Sequence, residues 1–195
     1  MKDLSSHIMD IVQNSIRAEA TWIIIRLCEE PATDLFSIEI QDNGCGMDEV
    51  TLAKVRNPFF TSRTVRKVGL GIPLLQQNAE RTGGQLTITS QPGVGTTVKA
   101  TFSHSHLDRP PLGDLAETLT LLIVANPNIR FSYEHTTAIG QYRFDTEEIN
   151  AVLEGVPISH PDILPALQNM IRENLKDIQA DQPQQSNSHQ SSNIK

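Results

Sequence analysis

The chain has 195 residues, about one domain and part of a second, and it carries 16 Lys plus Arg against 23 Asp plus Glu, a net charge of −7. Apolar residues make up 38%, an ordinary composition for a soluble protein able to bury a core. It contains no apolar run of membrane-spanning length and no signal-peptide h-region, so a transmembrane helix is excluded and a cytoplasmic location is expected. Two cysteines, Cys28 and Cys45, do not make a disulfide scaffold or a four-ligand zinc site. The acidic balance argues against nucleic acid as a partner, because phosphate binding rests on a positive field.

Leu4 to Arg17 is predicted to be an amphipathic helix. Leu4, Ile8, Ile11, Val12 and Ile16 fall on one face at 100° per residue, with His7, Asp10, Asn14 and Arg17 in a stripe opposite. His7 reads as a surface or core hydrogen-bonder. The run Thr21 to Leu27 reads as another strand, more fully buried than the others, in which Trp22 packs. Phe36, Ile38 and Ile40 alternate with polar residues, as do Leu86 and Ile88, then Val98, Ala100 and Phe102. Such period-two patterns predict strands covered on one face only. A second helix is predicted over Ile72–Arg81, with Ile72, Leu75 and Ala79 inside and Gly83-Gly84 as its stop. The order predicts an α+β fold, a two-layer sandwich with helices on one face of a mixed sheet.

Two glycine-rich loops interrupt the pattern: Asp42-Asn43-Gly44-Cys45-Gly46-Met47 after a strand, and Gly69-Leu70-Gly71 opening a helix. Glycines at a helix start let a phosphate approach bare N–H groups where the helix dipole favours negative charge. Neither loop is a P-loop, and Leu74 stands where a dinucleotide fingerprint needs its third glycine. Cys45 reads as a small filler. Between Glu49 and Glu80 there is no acidic residue, but Lys54, Arg56, Arg63, Arg66 and Lys67 are present. A basic segment in an acidic chain suits either a docked anion or a solvated loop.

Taken in order, Asp10-Ile-Val-Gln-Asn14, the loop DNGCGM, Asn57-Pro-Phe-Phe-Thr-Ser-Arg63, GLG and Gly93-Val-Gly-Thr96-Thr97 resemble the four boxes of the GHKL (Bergerat-fold) ATPases. That superfamily includes gyrase B, MutL, heat-shock chaperones, histidine kinases and anti-sigma-factor kinases. Residues 57–102 look most like a histidine kinase catalytic domain, whereas Arg17-Ala-Glu-Ala-Thr21 is closer to MutL. The resemblance implies an ATP-binding domain over residues 1–106 with ATP and Mg²⁺ as ligands. It places Asn14 on the metal and Asp10 as the base that orients or deprotonates the attacking water. Asp42 would accept the adenine amino group, supported by Thr96, often through water, while Gly44 and Gly46 let the backbone pass the base. Residues Asn57 to Val68 match the ATP lid, with Arg63, Arg66 and Lys67 as candidates for phosphate contact and Gly69, Leu70 and Gly71 at its hinge. Many members carry glutamate where Asp10 stands. A carboxylate one methylene shorter predicts slow hydrolysis, or hydrolysis only with a partner, since a shift of about 1 Å costs on the order of a hundredfold.

Only six residues precede His7, too few for the phosphoaccepting hairpin of histidine kinases, so autophosphorylation in the usual arrangement is not expected. His106-Leu-Asp-Arg109-Pro-Pro111-Leu112 is similar to the phosphoacceptor box, but its acid is misplaced and Pro110-Pro111 would break a helix, which favours a stiff linker. Residues 107–180 hold 5 basic and 11 acidic side chains. They predict a helix over Asp114–Ala125, a hairpin around Gly140 joining Phe131 and Tyr133 to Tyr142 and Phe144, a short helix with an Asp145–Glu148 capping box ending at Gly155, and a longer helix started by Pro161. This acidic α+β module carries no catalytic signature and suits a partner-docking or dimerising role. The polar tail 181–195 is expected to be disordered. Two functions fit: an ATPase or kinase acting on a separate protein, and an ATP-gated protein-binding module. A MutL-like DNA clamp is disfavoured, because its basic second domain is replaced here by an acidic one. The chain also resembles small stand-alone bacterial ATP-binding proteins.

Overall fold

The computed structural model describes residues 3–56 and 71–180. The expected lid from Asn57, with Arg63, Arg66, Lys67, Gly69 and Leu70, and the tail 181–195 lie outside the described residues. Helix α1 (Leu4–Arg17) starts at Asp3, whose carboxylate accepts from the Ser6 N–H at 2.8 Å and from the hydroxyls of Ser5 and Ser6. It stops in a Schellman turn: Glu19 takes φ 59°, its N–H reaches the Ile16 carbonyl at 3.0 Å, and the Ala20 N–H reaches that of Ser15 at 3.1 Å.

The strands β1 (Trp22–Glu30), β2 (Leu35–Asp42), β3 (Leu86–Gln91), β4 (Gly95–Ser103), β5 (Arg130–Thr136) and β6 (Gln141–Asp145) form one sheet in the order β3-β4-β2-β1-β5-β6. All pairings are antiparallel except β1 with β5. β1 is not more fully buried than its neighbours, as its sequence suggests; it alternates like them. Ile23, Ile25 and Leu27 point into the core, while Trp22 is 39% exposed and Ile24, Arg26 and Cys28 are half-buried on the open face. Neighbours in register set this: Arg26 faces Glu39 of β2 and Glu134 of β5, a polar row that needs water. Trp22 lies on that open face, its indole N–H donating to the Ser132 hydroxyl under the Arg130 guanidinium.

Helices α2 (Glu49–Arg56), α3 (Gly71–Arg81), α4 (Leu115–Ala125), α5 (Thr146–Val152) and α6 (Ile163–Asp177) complete the fold. The core lies between the helices and one face of the sheet, joining Leu4, Ile8 and Val12 of α1 to Phe36, Ile38 and Ile40 of β2 and Phe102 of β4. α3 ends as the Gly83-Gly84 pair predicts: the Gly84 N–H bonds the Ala79 carbonyl at 2.9 Å and the Gly83 N–H that of Glu80 at 3.1 Å.

Residues 107–180 share this sheet and core. β5 pairs along its own full length with Trp22 to Cys28 of β1, and α4 packs between α1 and α6. The Pro111 and Leu112 carbonyls accept from the otherwise unpaired N–H groups of Leu4 and Ser5, each at 2.9 Å. Thus the stretch expected as a separate module is built onto the first by a strand ladder. A buried array holds the join: Glu29 of β1 accepts from His135 Nε2 of β5 at 2.7 Å, with His104 Nε2 at 3.4 Å. An anionic Glu29 makes His135 Nε2 a donor, so a neutral ring accepts at Nδ1 from the Tyr133 hydroxyl at 2.9 Å.

Candidate functional site

The site grows from one cross-strand row. Asp42 ends β2 on the same side as Phe36, Ile38 and Ile40, so it is the polar residue that closes an apolar face. Register sets it opposite Thr96 of β4, and Thr96 opposite Ser90 of β3. One Asp42 oxygen accepts from the Gly44 N–H at 2.9 Å and the Thr96 N–H at 3.3 Å; the other accepts from the Ser15 hydroxyl of α1 at 2.6 Å. Thr96 therefore supports Asp42 directly through its backbone, while its hydroxyl pairs with that of Ser90 at 2.8 Å. A carboxylate held by three donors is a rigid acceptor in a fixed direction.

The glycine loop is clamped around this row. Asn43 Oδ1 accepts from the N–H groups of Thr21 and Trp22, both at 2.9 Å. The Cys45 N–H bonds the Ala18 carbonyl and the Gly93 N–H bonds that of Cys45, each at 2.8 Å. A Cβ on Gly44 would stand 2.6 Å from the Ala18 carbonyl oxygen, and one on Gly46, at φ 66°, would collide with the Gln91 carbonyl. Both glycines are required by close approach of backbone to backbone.

The second half of the site is the stripe on α1. Asp10 and Asn14, one turn apart on one face, are half-buried, and among the described residues the Asn14 Oδ1 accepts a long bond from exposed Arg17 at 3.3 Å. Gly71, the first residue of α3, lies against Asp10: a Cβ there would be 2.8 Å from the Asp10 Cβ and 3.0 Å from Oδ2. His7 does not share the stripe's exposure; it is 1% exposed because α3 covers it, and burial lowers its pKa below the usual histidine range. Ser15, next to Asn14, points to Asp42 and so links the stripe to the cross-strand row.

The structure therefore brings Asp10, Asn14, Asp42, Gly44, Gly46, Gly71 and Thr96 around one end of α1 and the sheet. Sequence reading missed Ser15, Ser90 and Asn43. Ser15 and Ser90 were detectable as hydroxyls on core-facing positions, Ser90 two residues past Ile88. Cys45 is exposed, and its role as a backbone link needs no thiol. His106 is exposed, its Nδ1 accepting from the Asp108 N–H at 3.0 Å.

Residues 2–106 match the family described as histidine kinase-, DNA gyrase B- and HSP90-like ATPases. The chain belongs to this family. Its N-terminal half is thus an ATP-binding domain of the histidine-kinase-like ATPases. It is similar to the sensor protein TorS of Escherichia coli, 32% identical over 91 residues, 46% of this chain and 10% of that protein. It is likewise similar to the sensor kinase FleS of Pseudomonas aeruginosa, 35% identical over 89 residues, 46% of this chain and 22% of that protein. The chain thus spans less than a quarter of the curated relatives named here. Among solved structures, the Aquifex aeolicus MutL ATPase domain complexed with ADP aligns over 79% of this chain and 70% of its own, at 15% identity and TM-score 0.49. Among the described residues no helix is long and apolar enough to cross a membrane.

Proposed function

We propose that this histidine-kinase-like ATPase binds Mg-ATP and passes its terminal phosphoryl group to water or to a separate protein. The observation that carries the reading is the joining of two half-sites through adjacent residues of α1: Asn14 on the open stripe and Ser15 bonded to Asp42 at 2.6 Å. Asp42 accepts the exocyclic amino group of adenine, because a fixed carboxylate accepts where guanine would present its carbonyl oxygen. The donors at the stripe fit a hard cation. Asn14 offers an amide oxygen and Asp10 a carboxylate. Among the described residues no group of three His, Cys, Asp or Glu side chains could hold an ion. A magnesium ion would therefore take few protein ligands and keep phosphate oxygens and water, its usual preference. When bound it would neutralise charge on the triphosphate. Asp10 orients and accepts the proton of the attacking hydroxyl group, held in place by the Gly71 backbone. Arg63, Arg66 and Lys67 are the candidate phosphate contacts, with Gly69 and Leu70 beside them.

The acidic 107–180 stretch is the proposed docking element for the protein partner or for a second copy, and the proposed location is the cytoplasm. The test is Asn14→Ala beside Asp10→Asn. The first is expected to abolish magnesium-dependent ATP binding; the second is expected to keep binding and lose turnover of labelled ATP. Unchanged turnover in Asp10→Asn would remove Asp10 as the base. Binding without turnover in the wild-type chain, alone or with a lysate, would favour the ATP-gated binding module.

A further inference from the structure

Besides their shared apolar core, two close approaches join α3 to α1. At one, the Gly71 backbone sits against the Asp10 side chain, with no room for a Cβ. At the other, Asn78, two turns further along α3, places its amide nitrogen 2.9 Å from His7 Nε2, one turn before Asp10. An amide nitrogen only donates, so Nε2 accepts and the neutral ring carries its proton on Nδ1. Among the described residues that buried Nδ1 makes no full hydrogen bond, the Gly71 backbone lying near enough only to favour the protonated ring. A leucine would fill such a place at lower desolvation cost, so burial alone does not explain an imidazole there.

We propose that His7 is a positioning residue for Asp10: by accepting the Asn78 amide it sets the register of α3 along α1 and so holds the Gly71 backbone beside the Asp10 carboxylate. The inference rests on the reading of Asp10 as the base. Asp42, Ser15 and Thr96 lie at the other end of the site, so adenine binding is independent of this contact. A slip of α3 along α1 would change the angle at which Asp10 meets the reacting atom, and about 1 Å is worth on the order of a hundredfold in rate.

The test uses the full chain and three variants, His7→Leu, His7→Gln and Asn78→Ala. His7→Leu and Asn78→Ala are expected to lower kcat by roughly tenfold to a hundredfold while KM for ATP and the affinity for ADP stay within about twofold. His7→Gln, whose amide oxygen can still accept from Asn78, is expected to recover most of the loss. A readout free of activity accompanies it: the ring nitrogens of His7 in ¹⁵N spectra are expected to report the Nδ1–H tautomer and to shift in Asn78→Ala. Because Asn78 is half-buried at the edge of the contact, that variant tests the proposal even where His7→Leu fails to fold. Unchanged ring shifts in Asn78→Ala, a kcat within about twofold in Asn78→Ala, or a His7→Gln as impaired as His7→Leu would each overturn the proposal. A wild-type chain that binds no ATP would instead overturn the functional reading, with the ring shifts still deciding the His7–Asn78 contact.

Discussion

Ser15→Ala removes one hydroxyl and tests the link between the two half-sites. Ser15 is 3% exposed and its hydroxyl is the donor to one Asp42 oxygen, at 2.6 Å; the other oxygen keeps the Gly44 and Thr96 N–H groups. A hydrogen bond to a charged group contributes about 1.5–3 kcal/mol. Asp42 is half-buried, so water can replace part of the loss, and the lower end applies: about 1.5 kcal/mol, or roughly tenfold in Kd. Calorimetric titration with ATP, ADP and GTP is the assay, with a thermal melt confirming the fold. ATP and ADP are expected to weaken together, since both carry the adenine, and GTP is expected to stay poor. Adenine affinity within about twofold of wild type in a folded variant would refute the argument that Ser15 orients the base-binding carboxylate.

Three further outcomes follow from single contacts. Gly71→Ala puts a methyl 2.8 Å from the Asp10 Cβ, so the helices must part by about half an ångström or more; kcat is expected to fall by up to about a hundredfold with ADP affinity kept, measured by steady-state turnover and calorimetry. Glu29→Ala leaves the buried His135 Nε2–H without its acceptor; a buried donor left unpaired costs about 1–3 kcal/mol, read as a lowered urea midpoint at pH 7. Asp3 has its pKa held below the usual carboxylate range, first by the Ser6 hydroxyl and also by the Ser6 N–H and Ser5 hydroxyl. A carboxyl lowered on folding stabilises at pH above its unfolded value near 3.8 and loses that contribution as pH falls through the lower folded value. Asp3→Ala is therefore expected to cost about 1 kcal/mol at neutral pH and to melt with a shallower dependence on pH below 4, measured by circular dichroism.

Much of the site was legible in the chain because its signals are local. The Asp10–Asn14 spacing puts two oxygen donors on one helix face, and the glycines of DNGCGM mark backbone approach. Period-two alternation located β2, β3 and β4, and the same alternation carried past Ile40, Val98 and Ile88 arrives at Asp42, Thr96 and Ser90. What it could not say is that Asp42 joins Thr96 and Ser90 in one row, since register between Asp42 and Thr96, 54 residues apart, depends on pairing and not on spacing. β1 shows the same limit: three consecutive isoleucines look more fully buried than the other strands, yet Ile24 faces the open side beside Arg26 because the neighbouring strands bring charges there.

The amino-acid sequence by itself pointed to most of the helices and strands, the stop of α3 at Gly83-Gly84, a cap at Asp145 and the order of the boxes, because propensity, periodicity and glycine chemistry act over a few residues. Only the tertiary structure decided that β5 runs parallel to β1, that α3 buries His7, and that Ser15 meets Asp42. Each of these joins residues far apart in the chain through packing and hydrogen bonds that exist only once the sheet has formed, so no local pattern encodes them.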